Sequence, residues 1–323
     1  MIDLSAIGAG LVLSPDDAVD LHLHTYASDG AWAPVDLVNY LADHHFRVAA
    51  VCDHDTQRSV AEAIELGAAR GLLIIPGIEA TCSWRGRQLH VLVYGIHPDS
   101  TDPDAADFFA CTKDLDDQLI ANAEDARQRI EASGRPIPNV HELHGDRPMW
   151  PFHVLTASIK AGHNKGLKDA AELVTELGGS FTADIPVERL VAAVHKAGGL
   201  CVIAHPGRAD AVGIVSEDDL DALAIEAPLD GIEAHYRSYT DTQTAHYRAE
   251  AKKRGLLISC GSDSHAPNQP VNPRAWKAVW CTDLLNRFGV ALAEQVELPW
   301  AEGMDPEVAQ PEPEPVAAAA ASE

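Results

Sequence analysis

Basic residues are scarce in this sequence. Lys and Arg total 24 of 323 residues against 49 Asp and Glu, which gives a formal net charge of −25. This charge repels a phosphate backbone over most of the surface. Aromatic residues, at 6%, are also too few for a basic stripe with interleaved rings. The composition therefore excludes a nucleic-acid-binding scaffold, predicts no stable nucleic-acid partner, and requires any phosphate site to be local.

Long apolar runs and closely spaced cysteines are also absent. No stretch reaches the roughly 20 consecutive apolar residues of a membrane span, and the N-terminus lacks the basic region that opens a signal peptide. The six cysteines lie far apart without a Cys-x-x-Cys pair, which favours buried free thiols. These absences predict a cytoplasmic protein that does not associate with membranes.

Short apolar segments that end in polar residues are abundant. Seven of them are predicted to be strands: VDLHLH, RVAAVCDHD, LLIIPGIEAT, QLHVLVYGI, LCVIAHPGR, DGIEAHY and LLISCGSDSH. Helical patterns lie between most of them, at residues 34–45, 59–70, 186–197 and 242–254. Alternating strands and helices indicate a parallel sheet, and the chain length suits one α/β barrel with an insertion. In such a barrel, functional side chains collect where the strands end.

The alternation of strands and helices stops between residues 99 and 184. One helix is predicted around residues 104–133, where apolar side chains recur every three to four residues, and a second helical pattern covers 154–177. We therefore predict a barrel of residues 1–98 and 185–300 with a helical insertion of residues 99–184 beside its mouth. Residues 301–323 have six acids, no base and alternating Pro and Glu, which predicts a disordered acidic tail rich in Pro and Ala.

Histidines and carboxylates collect at the predicted strand ends. His22 and His24 share one face of a strand because side chains alternate with a period of two, and Asp29 follows in a turn. The other candidates at strand ends are Asp53, His54, Asp55, Glu79, His90, His205, Asp263 and His265. A hydrogen bond or a helix cap explains each of them singly. Five separate apolar strands that each carry His, Asp or Glu at an end instead predict a shared metal site.

The ordered motifs also carry a family resemblance. DLHLHTYASDG, CDHD, GIEAT, HVLVYG, AHPGR and GSDSHAP resemble the PHP (polymerase and histidinol phosphatase) family of metal-dependent phosphoesterases. The resemblance covers residues 18–98 and 186–282, and it implies a distorted (β/α)7 barrel that holds up to three metals. By motif, one metal would be held by His22, His24, Glu79 and Asp263. Glu79 would bridge to a second metal held by His90 and His205, and a third would be held by Asp29, His54 and His265.

These donors indicate the metals and the chemistry. Six imidazoles and three carboxylates without a cysteine favour two to three divalent ions of Mn, Zn or Fe. Neighbouring divalent ions activate water near neutral pH and hold phosphoryl oxygens. We therefore expect hydrolysis of a phosphate monoester through attack by a metal-bound hydroxide.

Three further residues are candidates for the reaction. Asp55 either supports an imidazole ligand or shuttles a proton. Arg208, in AHPGR, either binds a phosphate oxygen through its guanidinium or forms a structural salt bridge. Ser262 either donates to the phosphate or shapes its turn.

The resemblance also indicates a substrate class. The chain is most similar to the branch with a helical insertion between the HVL and AHPGR motifs, whose members act on nucleotide phosphates such as adenosine 3',5'-bisphosphate or trim RNA from its 5' end. That branch holds substrate through an Arg-Pro-His stretch in the insertion. Pro151, Phe152 and His153 correspond to it here, so the histidine is kept and the arginine is not. Arg147 lies upstream, so His153 and Arg147 are candidate contacts to a small phosphorylated substrate, foremost a nucleotide or short RNA.

Two alternatives stay open at this point. One is a histidinol-phosphate phosphatase of the same family. The other is a metal-stabilised module without catalytic activity, as in some PHP domains attached to polymerases. The complete set of ligand positions argues against the second alternative, because modules without activity usually lose ligands.

Overall fold

The computed structural model describes residues 1–209, 213–268, 271–293 and 300–306. In these residues the strands are β1 (Val12–Leu13), β2 (Ala18–Leu23), β3 (Phe46–Val51), β4 (Leu73–Trp84), β5 (Arg87–Tyr94), β6 (Ile185–Pro186), β7 (Leu200–Ile203), β8 (Gly231–Tyr236), β9 (Leu257–Gly261), β10 (Trp276–Lys277) and β11 (Ala291–Leu292). The helices are α1 (Pro34–Asp43), α2 (Val60–Arg70), α3 (Ala106–Ala132), α4 (Val140–His144), α5 (Pro151–Lys160), α6 (Leu167–Glu176), α7 (Val187–Ala197), α8 (Glu217–Glu226), α9 (Asp241–Arg254) and α10 (Thr282–Arg287).

The main sheet nearly closes on itself. Its strands follow the spatial order β10, β2, β3, β4, β5, β7, β8 and β9, and β6 pairs with β4. Strands β2 and β9, from the two ends of this order, meet where Leu23 at the end of β2 forms a bridge with Ser264 after β9. The amide of Asp263 also donates to the carbonyl of His22 over 2.8 Å. The protein therefore has an α/β fold with a nearly closed, barrel-like sheet.

Strand β5 departs from the parallel sheet expected from the sequence. It runs antiparallel to both β4 and β7, whereas β2, β3 and β4 pair in parallel, as do β7, β8 and β9. The cause is a two-residue hairpin turn in which Arg85 and Gly86 both have positive φ, at 47° and 79°. Because β5 is reversed, its first half lies at the end of the barrel where the parallel strands finish. His90 therefore joins the other candidate ligands although it comes early in its strand.

The helices between the strands follow the sequence prediction closely. Helices α1, α2, α7 and α9 differ from their predicted bounds by at most two residues, at the end of α1. The pattern over 154–177 is not one helix, because Gly162, with φ of 79°, ends α5, and α6 begins only after Gly166. Among the described residues, no helix combines the length and apolarity that a membrane crossing requires.

Helix α3 connects two apolar cores. Its first half contributes Phe108, Cys111 and Leu115 to the cluster that packs beneath α7 and β5. Its second half contributes Ala126 and Ile130 to a separate cluster with α5 and α6. All six cysteines are buried free thiols, as their spacing predicted.

Residues 301–306 belong to the segment for which we expected disorder, yet they contact the barrel. Asp305 accepts a hydrogen bond from Trp300 Nε1 over 2.7 Å and lies 2.9 Å from His235 Nδ1. The His235 ring stacks on Trp280 with a centroid distance of 5.2 Å. The rest of the predicted tail, residues 307–323, lies outside the described residues.

Candidate metal centre

A fully buried cluster lies at the end of the barrel where the parallel strands finish. It contains His22, His24, Glu79 and Asp263, whose ligand atoms lie within 4.8 Å of one another. His22 Nε2 is 3.0 Å from Glu79 Oε2. His24 Nε2 is 3.0 Å from Asp263 Oδ1 and 3.2 Å from Glu79 Oε2. Both imidazoles reach the cluster because residues two apart on a strand share a face.

Glu79 joins this cluster to a second group of histidines. Its Oε1 lies 2.8 Å from His205 Nε2 and 3.0 Å from His90 Nδ1. Its Oε2 lies 3.3 Å from His54 Nδ1 in addition to its contacts with His22 and His24. One carboxylate therefore lies between five imidazoles, with its two oxygens facing different sets.

A third group lies beside His24. Its members are His24, Asp29, His54 and His265, again with ligand atoms within 4.8 Å of one another. His265 Nε2 is 3.2 Å from Asp29 Oδ1, and the rings of His24 and His265 stack at 4.0 Å between centroids. The structure thus brings all nine ligand candidates from the sequence into three overlapping groups.

Several buried donor atoms in these groups fit coordination to cations. His24 Nε2, His90 Nδ1 and Asp263 Oδ1 lie close to neighbouring ligand atoms but form no well-aligned hydrogen bond with a described residue. A buried polar atom without a partner costs free energy that a bound cation would offset. The nitrogen and oxygen donors suit divalent transition metals. The residues present therefore fit the metals that the sequence predicted.

Mutual electrostatics keep the carboxylates of these groups ionised. Burial acts to raise the pKa of Glu79, but the surrounding histidines, led by His54 and His22, hold that pKa well below its usual range. Asp263 behaves in the same way, since burial opposes ionisation but the charge of His22 lowers its pKa well below the ordinary value. Burial likewise acts to lower the pKa of His24, whereas the adjacent carboxylates of Asp263 and Glu79 raise it to about 10. Metal binding would displace such protons and so depend on pH.

Comparison with known proteins identifies the family. No family model matches the chain. The chain is 30% identical over 257 residues to a 5'-3' exoribonuclease of Haemophilus influenzae, covering 77% of this chain and 90% of that protein. The chain belongs to the PHP family of metal-dependent phosphoesterases. It is accordingly a hydrolase.

Other relatives agree with this assignment. The PHP chain is 28% identical over 264 residues to a 3',5'-nucleoside bisphosphate phosphatase of Chromobacterium violaceum, covering 78% of this chain and 88% of that protein. Among solved structures, a metal-dependent phosphoesterase from Bifidobacterium adolescentis matches with a TM-score of 0.70 and 24% identity, covering 85% of this chain and 98% of that chain. An amidohydrolase from Chromobacterium violaceum, solved with bound sulfate and no metal, matches with a TM-score of 0.67 and 25% identity, covering 84% and 96% of the two chains.

Glu233 supports the PHP site and was missed by sequence reasoning. It is fully buried on β8, with Oε1 2.9 Å from His22 Nδ1. Its Oε2 accepts a hydrogen bond from the amide of His205 over 2.6 Å. These contacts orient the His22 ring so that Nε2 faces Glu79. The available signal was a glutamate inside the apolar segment DGIEAHY, but the sequence does not show that this residue faces the site.

Asp53 holds the loop that carries Asp29. It accepts hydrogen bonds from the Thr25 amide over 2.6 Å, from Thr25 Oγ1 over 2.7 Å and from Ser28 Oγ over 2.8 Å. Ser59 Oγ donates to the same carboxylate. Asp53 therefore positions the chain between β2 and α1 from its place after β3.

Asp55 lies on the wall of a cavity beside the metal candidates. It lines this cavity together with Asp29, His54 and His90. Its carboxylate accepts from the Thr81 amide over 2.7 Å and from Thr81 Oγ1 over 2.9 Å. Burial raises the pKa of Asp55 to about 6. A proton can therefore be held or released at this carboxylate near neutral pH.

The second oxygen of Asp263, Oδ2, is held by three side chains, of which the sequence indicated only Arg208. Oδ2 accepts from Tyr236 Oη over 2.6 Å and lies 3.1 Å from Arg237 Nη1. Arg208 Nη1 lies 3.3 Å from the same oxygen, so Arg208 is beside the cluster as expected. Arg237 was missed, because nothing in its sequence context marks it. Ser262 is buried, and its amide donates to Asp20 Oδ1 over 3.0 Å.

Three residues of the site have an uncommon backbone conformation. Asp55, His205 and Asp263 have φ values of 54°, 30° and 51°. Residues other than glycine rarely adopt positive φ, and such strain concentrates at functional sites. Tight strand ends here direct the side chains toward the cluster.

The two insertion residues expected to contact substrate lie elsewhere. His153 is buried, and its Nδ1 accepts from the Trp150 amide over 3.0 Å at the start of α5. Arg147 lies over the Tyr26 ring at 5.2 Å and donates to the carbonyl oxygens of Tyr26 and Leu143. Neither residue lines the cavity beside His54 and His90. Arg147 instead ties the insertion to the loop after β2.

Proposed function

We propose that this PHP phosphoesterase hydrolyses a phosphate monoester of a nucleotide, foremost a 3',5'-bisphosphate or the 5' end of a short RNA. The observation that carries the proposal is the convergence of nine imidazole and carboxylate side chains, Glu79 among them, in overlapping groups beside a cavity of 270 Å³. The relatives named as a nucleoside bisphosphate phosphatase and a 5'-3' exoribonuclease support the substrate class.

In this proposal the nine donors would hold two to three divalent ions of Mn, Zn or Fe. His22, His24, Glu79 and Asp263 would hold one, and Glu79, His90 and His205 would hold another. Asp29, His54 and His265 would hold the third. When bound, such ions lower the pKa of water and offset negative charge on phosphoryl oxygens.

The chain's own groups then position substrate and move protons. Asp55, on the cavity wall beside His54 and His90, supplies a proton to the departing alkoxide oxygen. Arg208 lies at the rim of the metal cluster and binds a phosphate oxygen through its guanidinium. Ser262, His153 and Arg147 stay predictions as substrate contacts. The side-chain hydrogen bonds of His153 and Arg147 favour roles in holding local structure, whereas Ser262 Oγ is buried and forms no hydrogen bond with a described residue.

The domain organisation is part of the same proposal. Within 1–98 and 185–300 the described residues form a (β/α)7 barrel, and residues 99–184 form an insertion whose helices lie beside its mouth. The shared cavity supports this division, because barrel residues such as His90 and insertion residues such as Phe152 both line it.

The test is a phosphate-release screen with Mn-loaded protein. Substrates are nucleoside monophosphates, nucleoside 3',5'-bisphosphates, histidinol phosphate and short 5'-phosphorylated RNA. We expect the protein to release phosphate from a nucleotide and a chelator to abolish this release. His22→Ala and Asp263→Ala should each lower kcat by about 100-fold or more. Arg208→Ala should chiefly raise KM, and Glu65→Gln, at an exposed position on α2, should match the wild type.

The outcomes separate the candidate functions. Preference for histidinol phosphate would favour the phosphatase alternative. Absence of hydrolysis of every substrate, although metal is bound, would favour the module without activity. Turnover that survives chelation, or full activity of His22→Ala, would contradict the mechanism.

A further inference from the structure

The cavity beside the metal centre has two chemically different ends. The barrel lines one end with polar groups that include Asp29, His54, Thr81 and His90. The insertion lines the other end with apolar side chains: Leu119, Trp150, Pro151, Phe152, Phe181 and Ala183. No Lys or Arg is among the described residues that line it. A ligand that fills the cavity therefore carries charge at the barrel end and an uncharged, apolar group at the insertion end.

Trp150 is fixed in place before any ligand binds. Its Nε1 donates to Asp116 Oδ1 over 2.8 Å, and Arg58 Nη2 donates to the same oxygen over 2.7 Å. The Arg58 guanidinium lies 4.9 Å from the Trp150 ring centroid. The indole is therefore held at its edge and covered by a cation, and Trp150, which is 5% exposed, is one of the residues that line the cavity.

The opposite part of the apolar wall is also anchored. Asn122 Nδ2 donates to the Thr182 carbonyl over 2.8 Å, and Gln118 Nε2 donates to the Asp184 carbonyl over 3.1 Å. These bonds fix the segment that carries Phe181 against α3. Side chains that are already ordered lose little conformational entropy when a ligand stacks on them.

We propose that Trp150, Phe152 and Phe181 form the binding site for the nucleobase of the substrate, whose phosphate lies at the metal end of the cavity. The inference rests on the proposed function and adds which part of the nucleotide the insertion recognises. Aromatic side chains stack on any base, since every base presents a π face. The volume of 270 Å³ is near the lower limit of ligand pockets and favours a single nucleotide unit.

The test measures binding of two ligands that cannot be hydrolysed. They are the 5'-phosphonate analogues of AMP and of ribose 5-phosphate, which differ only by the base, titrated calorimetrically into Mn-loaded protein. We expect the AMP analogue to bind about tenfold more tightly or better. Phe152→Leu, which keeps an apolar side chain but removes the ring, should weaken the AMP analogue about tenfold and leave the ribose analogue within about twofold.

Two variants serve as controls. Phe152→Tyr keeps the ring and should retain the preference for the AMP analogue. Leu167→Ala removes an exposed apolar side chain of the insertion outside the cavity and should behave as the wild type. Equal wild-type affinities for the two ligands, equal weakening of both by Phe152→Leu, or no binding of either would overturn the inference.

The result is separable from the test of the proposed function. If phosphate is released from nucleotides while the two analogues bind equally, the enzyme function stands and the aromatic base site is wrong. If the AMP analogue binds selectively and no phosphate ester is hydrolysed, the base site stands and the proposed activity is wrong.

Discussion

At the scale of single residues, Glu79 organises the candidate centre. A carboxylate has two oxygens with about four lone-pair sites, and here those oxygens approach five imidazoles within 3.3 Å. The sequence identified Glu79 as a residue at the end of an apolar segment. Which oxygen faces which histidine depends on β5 lying between β4 and β7, and that arrangement is a property of the sheet.

A prediction at the residue scale concerns the protonation of His153 and its effect on stability. Burial lowers the pKa of His153 to about 4 from an ordinary value of 6.5. As pH falls below 6.5, the unfolded chain binds a proton at this residue and the native protein does not, so the free energy of unfolding falls. Above about pH 7.5 the residue contributes no pH dependence. Its neutral Nδ1 meanwhile accepts from the Trp150 amide.

We therefore expect His153→Asn to reduce the acid sensitivity of the protein. The amide oxygen of asparagine can still accept from the helix start, but asparagine does not titrate. Between pH 7 and pH 4 the metal-free wild type should lose about 1 to 3 kcal/mol more stability than this variant in urea unfolding. His246→Asn, at an exposed site, should follow the wild type. If His153→Asn and the wild type lost the same free energy of unfolding between pH 7 and pH 4, native His153 would have to take up a proton, and the prediction would be wrong.

At the scale of elements, the hairpin between β4 and β5 determines the composition of the site. A parallel β5 would carry His90 to the opposite end of the barrel. The turn at Arg85 and Gly86 reverses the strand and leaves His90 beside Glu79. The turn is visible in the sequence, but a short Arg-Gly pair between two apolar segments does not by itself exclude a crossover.

The C-terminal segment that contacts β8 supplies an element-scale prediction. Asp305 approaches the fully buried His235, and Thr244 Oγ1 donates to the same carboxylate over 3.1 Å. Asp305→Ala should lower the free energy of unfolding by about 1 to 3 kcal/mol, because it leaves a buried imidazole nitrogen without its partner. Urea unfolding measures the effect. Glu302→Ala, an exposed neighbour, is the control, and equal stability of both variants would rule out a stabilising role for this contact.

At the scale of the whole molecule, metal binding should be linked to folding. The donors come from both halves of the chain, so the clusters exist only in the folded protein. A ligand that binds only the native state adds about 2.7 kcal/mol at 100 times its Kd. We expect chelation to lower Tm by about 5 °C or more, and added Mn to restore it.

A variant that keeps all nine proposed metal ligands also tests the linkage between metal binding and folding. Glu233→Gln should require about 10- to 100-fold more Mn for the same rise in Tm, because the His22 ring loses its orienting carboxylate. Glu65→Gln should respond to Mn as the wild type does. A Tm that does not depend on Mn or chelator would contradict metal binding at this centre.

The order of residue types was sufficient for the main architecture and for candidate ligands at the strand ends, from which the family resemblance selected nine. Apolar segments that alternate with helical patterns indicate an α/β sheet, and polar residues at strand ends meet because parallel strands finish at one edge. Both inferences depend on local periodicity, which the sequence displays directly.

Only the tertiary structure decided which residues support and complete the site. Glu233 orients His22 across 211 positions of sequence, and Arg58, Asp116 and Trp150 meet from three separate elements. No local period encodes such pairs, because they depend on how helices and strands pack. For the same reason, the sequence did not show that His153, a predicted substrate contact, caps its own helix while the neighbouring Phe152 lines the cavity.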